Sequence, residues 1–322
     1  MIQHFLQSTA WEAFQKTENR KTFRRTGDGF EFMAVLEPSK LGNYLFCPYG
    51  PTVKTEKDLE TALKALKKLA KQENAFFVRI EPTLSLDFKN QKTAYDFSLE
   101  NLNSLGLKKS HDLDPKNTWV LNLDQPEEEI LKGMEKEKVR LFKSSPKKGI
   151  SFRKTTDPEE IKTLIKFLES VGERNHIIPQ KEDRLKRQLT SGFGTLFIAE
   201  KTDENGKVIP LAASLVYDWN KVRYTVHSAA DNKHKKLAAG SSLLIYRILD
   251  AKKSGAKIFD FWGITTSEDK SHPWYGFTKF KKSFGGNQVD YSGTWDLPLK
   301  PARYKLYQVL RKLNRLKRRV TA

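Results

Sequence analysis

The chain holds one cysteine, Cys47, six dispersed histidines and no long apolar run in its 322 residues. A single cysteine excludes an intrachain disulfide and a cysteine-rich zinc site. Cys47 closes the apolar run that begins at Tyr44, as a buried core thiol does. His4, His111, His176, His227, His234 and His272 form no spaced ligand set, so no metal is expected. No apolar stretch reaches the roughly 18 residues that span a bilayer. The opening MIQHFLQSTAWEAFQK lacks the basic and then apolar order of a signal peptide, which points to a cytoplasmic protein. Also missing are GxSxG, HExxH, a P-loop and a GxGxxG after a first strand, so no nucleotide-binding or hydrolase signature is present.

What is abundant is positive charge. Lys and Arg number 58 against 39 acids, a formal net charge of +19. Such a balance speaks to partners rather than fold: nucleic acid, phosphorylated molecules or an anionic membrane face. The bland alternative is a solvated lysine-rich surface. Hydrophobic residues make up 38% of the chain, enough for ordinary cores, and the length suits two domains.

Periodicity predicts strands at 30–36 and 44–47, a helix over 56–73 with Leu59, Leu63, Leu66 and Leu69 on one face, and a strand over 75–80. A short helix at 99–105 and a strand at 118–123 follow. Residues 126–144 read as one long Lys/Glu-rich helix stopped by Pro146 and Gly149, which marks the expected domain junction. A similar order then returns: strand 150–154, helices 158–172 and 182–189, strands 195–200, 209–218 and 222–228, helix 241–254 and strand 258–262. Asn205-Gly206 between apolar runs is a hairpin signal. Two α/β halves in tandem fit this order. The last segment, Arg303 to Ala322, carries eight Lys/Arg and no acid, with Leu306, Leu310, Leu313 and Leu316 at helical spacing. One face can pack while the other holds charge for solvent, RNA or an anionic membrane.

The run from Ile258 is the most specific. A strand ends at Gly263; after a polar loop comes Phe280-Lys281-Lys282-Ser283-Phe284-Gly285-Gly286. A lysine beside a diglycine suits an oxyanion or phosphate, because fixed charge and approachable backbone N–H groups meet there. The wording Asp260-Phe261-Trp262-Gly263-Ile264, then the Phe-Lys run, then Gly293-Thr294-Trp295-Asp296-Leu297-Pro298, resembles the Fem family of bacterial peptidoglycan cross-bridge transferases, in its armless FemX-like members. Weaker echoes are Gln7 to Lys16, Pro48 to Pro51, Phe77 to Pro82 and Asn117 to Leu123. The resemblance implies two tandem acetyltransferase (GNAT)-like domains, one over 1–145 completed by a returning C-terminal segment 292–322, the other over 146–291. It implies a tRNA-dependent aminoacyltransferase that moves an amino acid from aminoacyl-tRNA to the stem-peptide amine of a UDP- or lipid-linked precursor. No dissociable cofactor is implied, and the place of work is the cytoplasm or the inner face of the membrane.

Carried over residue by residue, the resemblance makes Phe280 and Lys281 the catalytic pair, with Lys281 stabilising the tetrahedral intermediate or a precursor phosphate. Glu81, at a strand end, would accept or orient the amine's proton. Lys16, next to the offset that Gln15 occupies after Trp11, would meet the precursor. The family's arginine and tyrosine positions fall on Gln180 and Arg184, with Lys181 beside them, and Tyr224 stands in for a tyrosine of the second meander. Arg315, Lys317, Arg318 and Arg319 are expected to contact tRNA phosphates. Two other functions stay open. One is an acyl-CoA-dependent N-acyltransferase, if the basic loop Lys233 to Gly240 before a helix holds a pyrophosphate. The other is a non-catalytic RNA-binding protein.

Overall fold

The computed structural model describes residues 3–85, 99–175 and 180–320, apart from the side chains of 99, 173–175 and 314–320. It divides into two units, residues 1–116 with 290–322, and 117–289.

The first unit begins with α1 (Thr9–Thr17), whose N-cap Ser8 accepts from the backbone of Trp11. Strands β1 (Thr22–Gly27), β2 (Phe30–Ser39) and β3 (Gly42–Cys47) form an antiparallel meander, with β4 (Thr52–Val53) against β2. Helix α2 (Asp58–Gln72) follows. Its leucines 59, 63, 66 and 69 are buried together with Ala62 and Ala70, as their spacing predicts. It crosses over to β5 (Phe77–Ile80), which pairs parallel to β3. Then come β6 (Thr83–Leu84), α3 (Leu99–Ser104) and β7 (Lys108–Lys109). Cys47 is buried in this core, as expected.

The second unit repeats the logic. Strand β8 (Asn117–Asn122) is followed by α4 (Glu127–Lys132) and α5 (Lys136–Ser144), then by β9 (Ile150–Thr155), α6 (Ile161–Asn175) and α7 (Glu182–Thr190). Strands β10 (Gly194–Thr202), β11 (Val208–Trp219) and β12 (Val222–Ala230) form an antiparallel meander, and α8 (Ala239–Lys253) crosses to β13 (Ile258–Gly263), parallel to β12. Helix α9 (Tyr275–Lys282) and strand β14 (Asn287–Asp290) end it, with sheet order β14-β8-β13-β12-β11-β10-β9. The chain then returns. Strand β15 (Trp295–Pro298) inserts between β5 and β7 in the first sheet, and α10 (Pro301–Val320) follows it. The architecture is the expected pair of tandem GNAT-like α/β units, with the C-terminal helix in the first.

Three expectations need correction. The junction lies at 116/117 rather than 145/146, and the return starts at 290 rather than 292. The reason is β8, which pairs antiparallel with β13, while α4 adds Ile130 to the core formed by Leu121, Leu123, Ile245 and Ile248. The helix expected over 126–144 is two helices, broken at Gly133, whose backbone N–H bonds back to Glu129. Among the described side chains of α10, Tyr304 and Tyr307 pack against Phe76 and Phe77, while of the expected leucine stripe Leu310 is half-buried and the Leu316 side chain lies outside the described residues. Leu306, Val309 and Leu313 stay exposed.

Candidate functional site

Strand β13 is apolar except for Asp260, and its first four residues are buried. A carboxyl in that setting must be neutral or well hydrogen-bonded. One Asp260 oxygen accepts from Thr118 Oγ1 on β8 at 2.5 Å and from the Trp262 backbone N–H at 2.7 Å. Burial lifts its pKa to about 6, with those two donors and Lys281 pulling the other way. The register of β13 with β8 slips between Asp260 and Gly263, and Trp262 has φ +67°. A bulky L-residue rarely adopts that left-handed conformation, and such outliers gather at functional sites. Past this irregularity, the Gly263 carbonyl accepts from Lys281 Nζ of α9 at 2.6 Å. Burial draws the Lys281 pKa down to about 8, against the opposing charge of Asp260. Tyr224 on β12 is the register partner of Asp260, and its ring meets Trp262 edge-on at 6.1 Å.

Lys281, Asp260, Thr118, Trp262 and Tyr224 therefore form one cluster, of which sequence reasoning named Lys281 and Tyr224. Asp260 was legible as an acid inside an apolar strand; Thr118 carried no signal. Phe280 precedes Lys281 on α9 but is itself exposed, its ring edge-on to Phe284 at 5.1 Å and beneath Lys138 Nζ at 5.5 Å. The diglycine has a different part from the expected one. A Cβ at Gly285 would lie 2.8 Å from the Gly133 carbonyl oxygen, and at Gly286 2.2 Å from that of Val120. These glycines let the protein's own backbone segments meet.

One cavity adjoins α9, and a second meets it at Met134. The first, about 1010 Å³, is rich in hydroxyls from Thr265, Thr266, Ser267, Tyr275 and Thr278. The other, about 760 Å³, lies along α4 and α5 and is lined by the cations Lys132, Lys136, Arg140, Lys143 and Lys147, with one acid, Glu128. Met134 lines both. The Glu135 N–H, which donates to the Ser283 carbonyl at 2.9 Å, ties this junction to the end of α9.

On α7, Arg184 lies close enough to help burial hold His227 neutral, with a pKa of about 4. Gln180 accepts from Gln188 at 3.4 Å, and Lys181 is exposed at the helix N-cap. This polar group belongs to the same unit as Lys281. Glu81 and Lys16 belong to the other unit. Glu81 is buried and accepts from Thr294 Oγ1 (2.6 Å), Tyr49 N (3.1 Å) and Asp114 N (3.3 Å), which is how a residue that ties loops together is bonded. Burial, and after it the Glu81 charge and a hydrogen bond to Glu81, push the neighbouring Asp114 carboxyl well up. Lys16 is exposed and pairs with Glu12 at 3.0 Å one helical turn away. Arg315, Lys317, Arg318 and Arg319 lie in the last turns of α10, where side chains are outside the described residues. In the basic loop before α8, the N–H groups of Leu237 and Ala238 are already bonded to the carbonyls of His234 and Lys235. A pyrophosphate would find those donors taken. Among the described residues, no three His, Cys, Asp or Glu gather as metal ligands, and no helix is long and apolar enough to cross a membrane.

Comparison with known proteins gives one family. The FemAB family model matches residues 1–194 and 179–312. A lipid II:glycine glycyltransferase of Staphylococcus haemolyticus is 22% identical over an alignment 321 positions long, covering 78% of this chain and 75% of that protein. The aminoacyltransferase FemA of Staphylococcus epidermidis is 20% identical, covering 88% and 86%. The crystal structure of FemX superposes with a TM-score of 0.81 at 18% identity and covers 94% of each chain.

Proposed function

The chain belongs to the FemAB family, and from that premise we propose that it transfers an amino acid from aminoacyl-tRNA to an amine of a peptidoglycan precursor. The observation that carries this reading is the Lys281 ammonium, drawn inward onto the Gly263 carbonyl with Asp260 buried behind it. An aminoacyl ester is already activated, so positioning and a cation for the developing oxyanion supply most of the acceleration. The neutral acceptor amine attacks the ester carbonyl, and a C–N bond forms. Lys281 leaves the Gly263 carbonyl to meet the carbonyl oxygen as it becomes anionic. The C–O bond to the ribose breaks, and the amine's surplus proton leaves with the ribose oxygen. Asp260 keeps Lys281 charged; Tyr224 and Trp262 wall the cluster.

The donor's RNA is supported by the cation-lined groove of α4 and α5, where phosphates would lie, and by the adjoining hydroxyl-rich cavity, which suits a terminal ribose. We assign the phosphates to this groove rather than to Arg315, Lys317, Arg318 and Arg319, because the helix bearing those four also exposes an apolar stripe. Gln180, Lys181 and Arg184 are our candidates for the acceptor. Mass spectrometry of nucleotide- and lipid-linked precursors, incubated with the protein and a mixed pool of charged tRNA, tests the proposal. A precursor heavier by one amino-acid residue is expected. Transfer from acyl-CoA instead, or RNA binding with no transfer, would replace it.

The two charges also set a pH profile. Asp260 is a carboxylate above about pH 6, and Lys281 is an ammonium below about pH 8. The doubly charged form is thus most populated between them, and the chemical step should fall on both sides. The acceptor amine's own ionisation raises the rate with pH, so the profile is read as a ratio to Lys281→Arg, which cancels it. A ratio that stays flat from pH 7 to 9.5 would show that Lys281 does not act through its charge.

A further inference from the structure

Helix α10 carries a feature that aminoacyl transfer does not use. Leu306, Val309 and Leu313 are 50%, 54% and 50% exposed, and their i, i+3, i+7 spacing sets them on one face. Its described side chains include four cations, Arg303, Lys305, Arg311 and Lys312, and no acid. Beside this stripe, between α10 and the turn after β7, lies a cavity of about 490 Å³. Val309 lines it together with Lys109, His111, Arg311 and Lys312. Arg311 donates to Ser110 Oγ at 3.4 Å, and Lys109 leans to Asp112 at 2.8 Å.

Each possible occupant makes a different demand. RNA rewards the cations but gains nothing from three exposed aliphatic side chains. A second copy joined through the stripe would oppose two acid-free basic helices. A bilayer rich in anionic phospholipid rewards both features: the aliphatic stripe enters the boundary between headgroups and acyl chains, and the cations sit at the phosphates. We propose that α10 and its cavity form a docking surface for an anionic membrane, with one lipid phosphate seated between Arg311 and Lys312. Both helix and cavity belong to the first unit, so the proposal stands whether or not the donor is tRNA. Its consequence for the reaction is that a lipid-linked precursor would be met at the surface that holds it.

The test is co-sedimentation of the full chain with vesicles of phosphatidylcholine alone or with about 30% phosphatidylglycerol. The wild type should bind the mixed vesicles, with binding that weakens as salt screens the charges. The triple substitution Leu306→Ser, Val309→Ser, Leu313→Ser should lower partitioning on the order of tenfold or more, without lowering the melting temperature, because the stripe is exposed. Lys305→Glu with Lys312→Glu should lower it by at least about fivefold for each cation lost. Transfer to a soluble nucleotide-linked precursor, measured in parallel, should be unchanged in both variants, so failure of the docking proposal and failure of the transfer reading are separately visible. Unchanged vesicle binding in the triple variant would overturn the docking surface. So would a large fall in its melting temperature, since the stripe would then be core. Loss of RNA affinity with vesicle binding retained, or a dimer that the triple variant converts to monomer, would give the stripe to the other occupants. Equal binding to both vesicle types would remove the phosphate seat.

Discussion

Lys281→Met should lower the rate of aminoacyl transfer by about 10²–10³, the usual cost of removing one oxyanion donor, while substrate KM values change little. The separation of kcat from KM follows from the geometry. In the resting protein Lys281 is occupied with the Gly263 carbonyl at 2.6 Å, so it contributes little to ground-state binding and acts as charge develops. Methionine keeps the aliphatic stem and removes a cation whose pKa burial has already drawn down to about 8, so the fold should persist. Asp260→Asn should move in the same direction with a smaller effect, because it leaves Lys281 in place but without its buried counter-charge. Single-turnover kinetics with preformed aminoacyl-tRNA separates chemistry from product release. Turnover within threefold of wild type in Lys281→Met would remove the lysine from the mechanism.

Asp296→Ala should destabilise the first unit by about 3–5 kcal/mol, the magnitude expected when one partner of a buried ion pair is deleted. Arg79 donates two hydrogen bonds to Asp296, at 2.7 and 2.8 Å, and the two side chains are 1% and 0% exposed. The guanidinium lies against the rings of Tyr44, Phe77 and Tyr307, and Tyr304 of α10 donates to the same carboxylate at 2.9 Å. Burial opposes the arginine's charge, but the Asp296 hydrogen bonds and charge more than offset it and raise its pKa. Without Asp296 the cation is left buried and unpaired, and the Tyr304 hydroxyl loses its acceptor. Equilibrium denaturation measures the loss. The double substitution Arg79→Met, Asp296→Leu should recover much of it, since apolar replacements of a buried pair are often neutral or better. A loss below about 1 kcal/mol in Asp296→Ala would mean that α10 is anchored by its aromatic packing alone.

The periodic elements were legible. Helix α2 shows its leucine face in the sequence and buries it, and β13 reads as the short apolar strand that it is. Helix α9 was not legible. Its residues, Tyr-Gly-Phe-Thr-Lys-Phe-Lys-Lys, mix a glycine with aromatics and lysines and carry no clear stripe. The 126–144 segment looked continuous because its Lys/Glu pattern runs on through Gly133. That glycine meets Gly285, which comes close from far along the chain. The leucines of α10 look like a packing face to any pattern reader, since spacing records amphipathicity and not what lies opposite.

By itself the sequence determined the family and the tandem α/β plan, because wording and hydrophobic period are local properties that survive in a string. It also determined the excess of positive charge. Only the tertiary structure decided that β8 belongs to the second sheet, that Asp260 stands behind Lys281, and that the diglycine serves packing. It alone decided which face of α10 meets water. Each of these depends on residues brought together across the chain. Thr118 reaches Asp260 over 142 positions, and Arg79 reaches Asp296 over 217. Burial, which moves the Asp260 and Lys281 pKa values toward each other, is a property of that assembled environment and of no single segment.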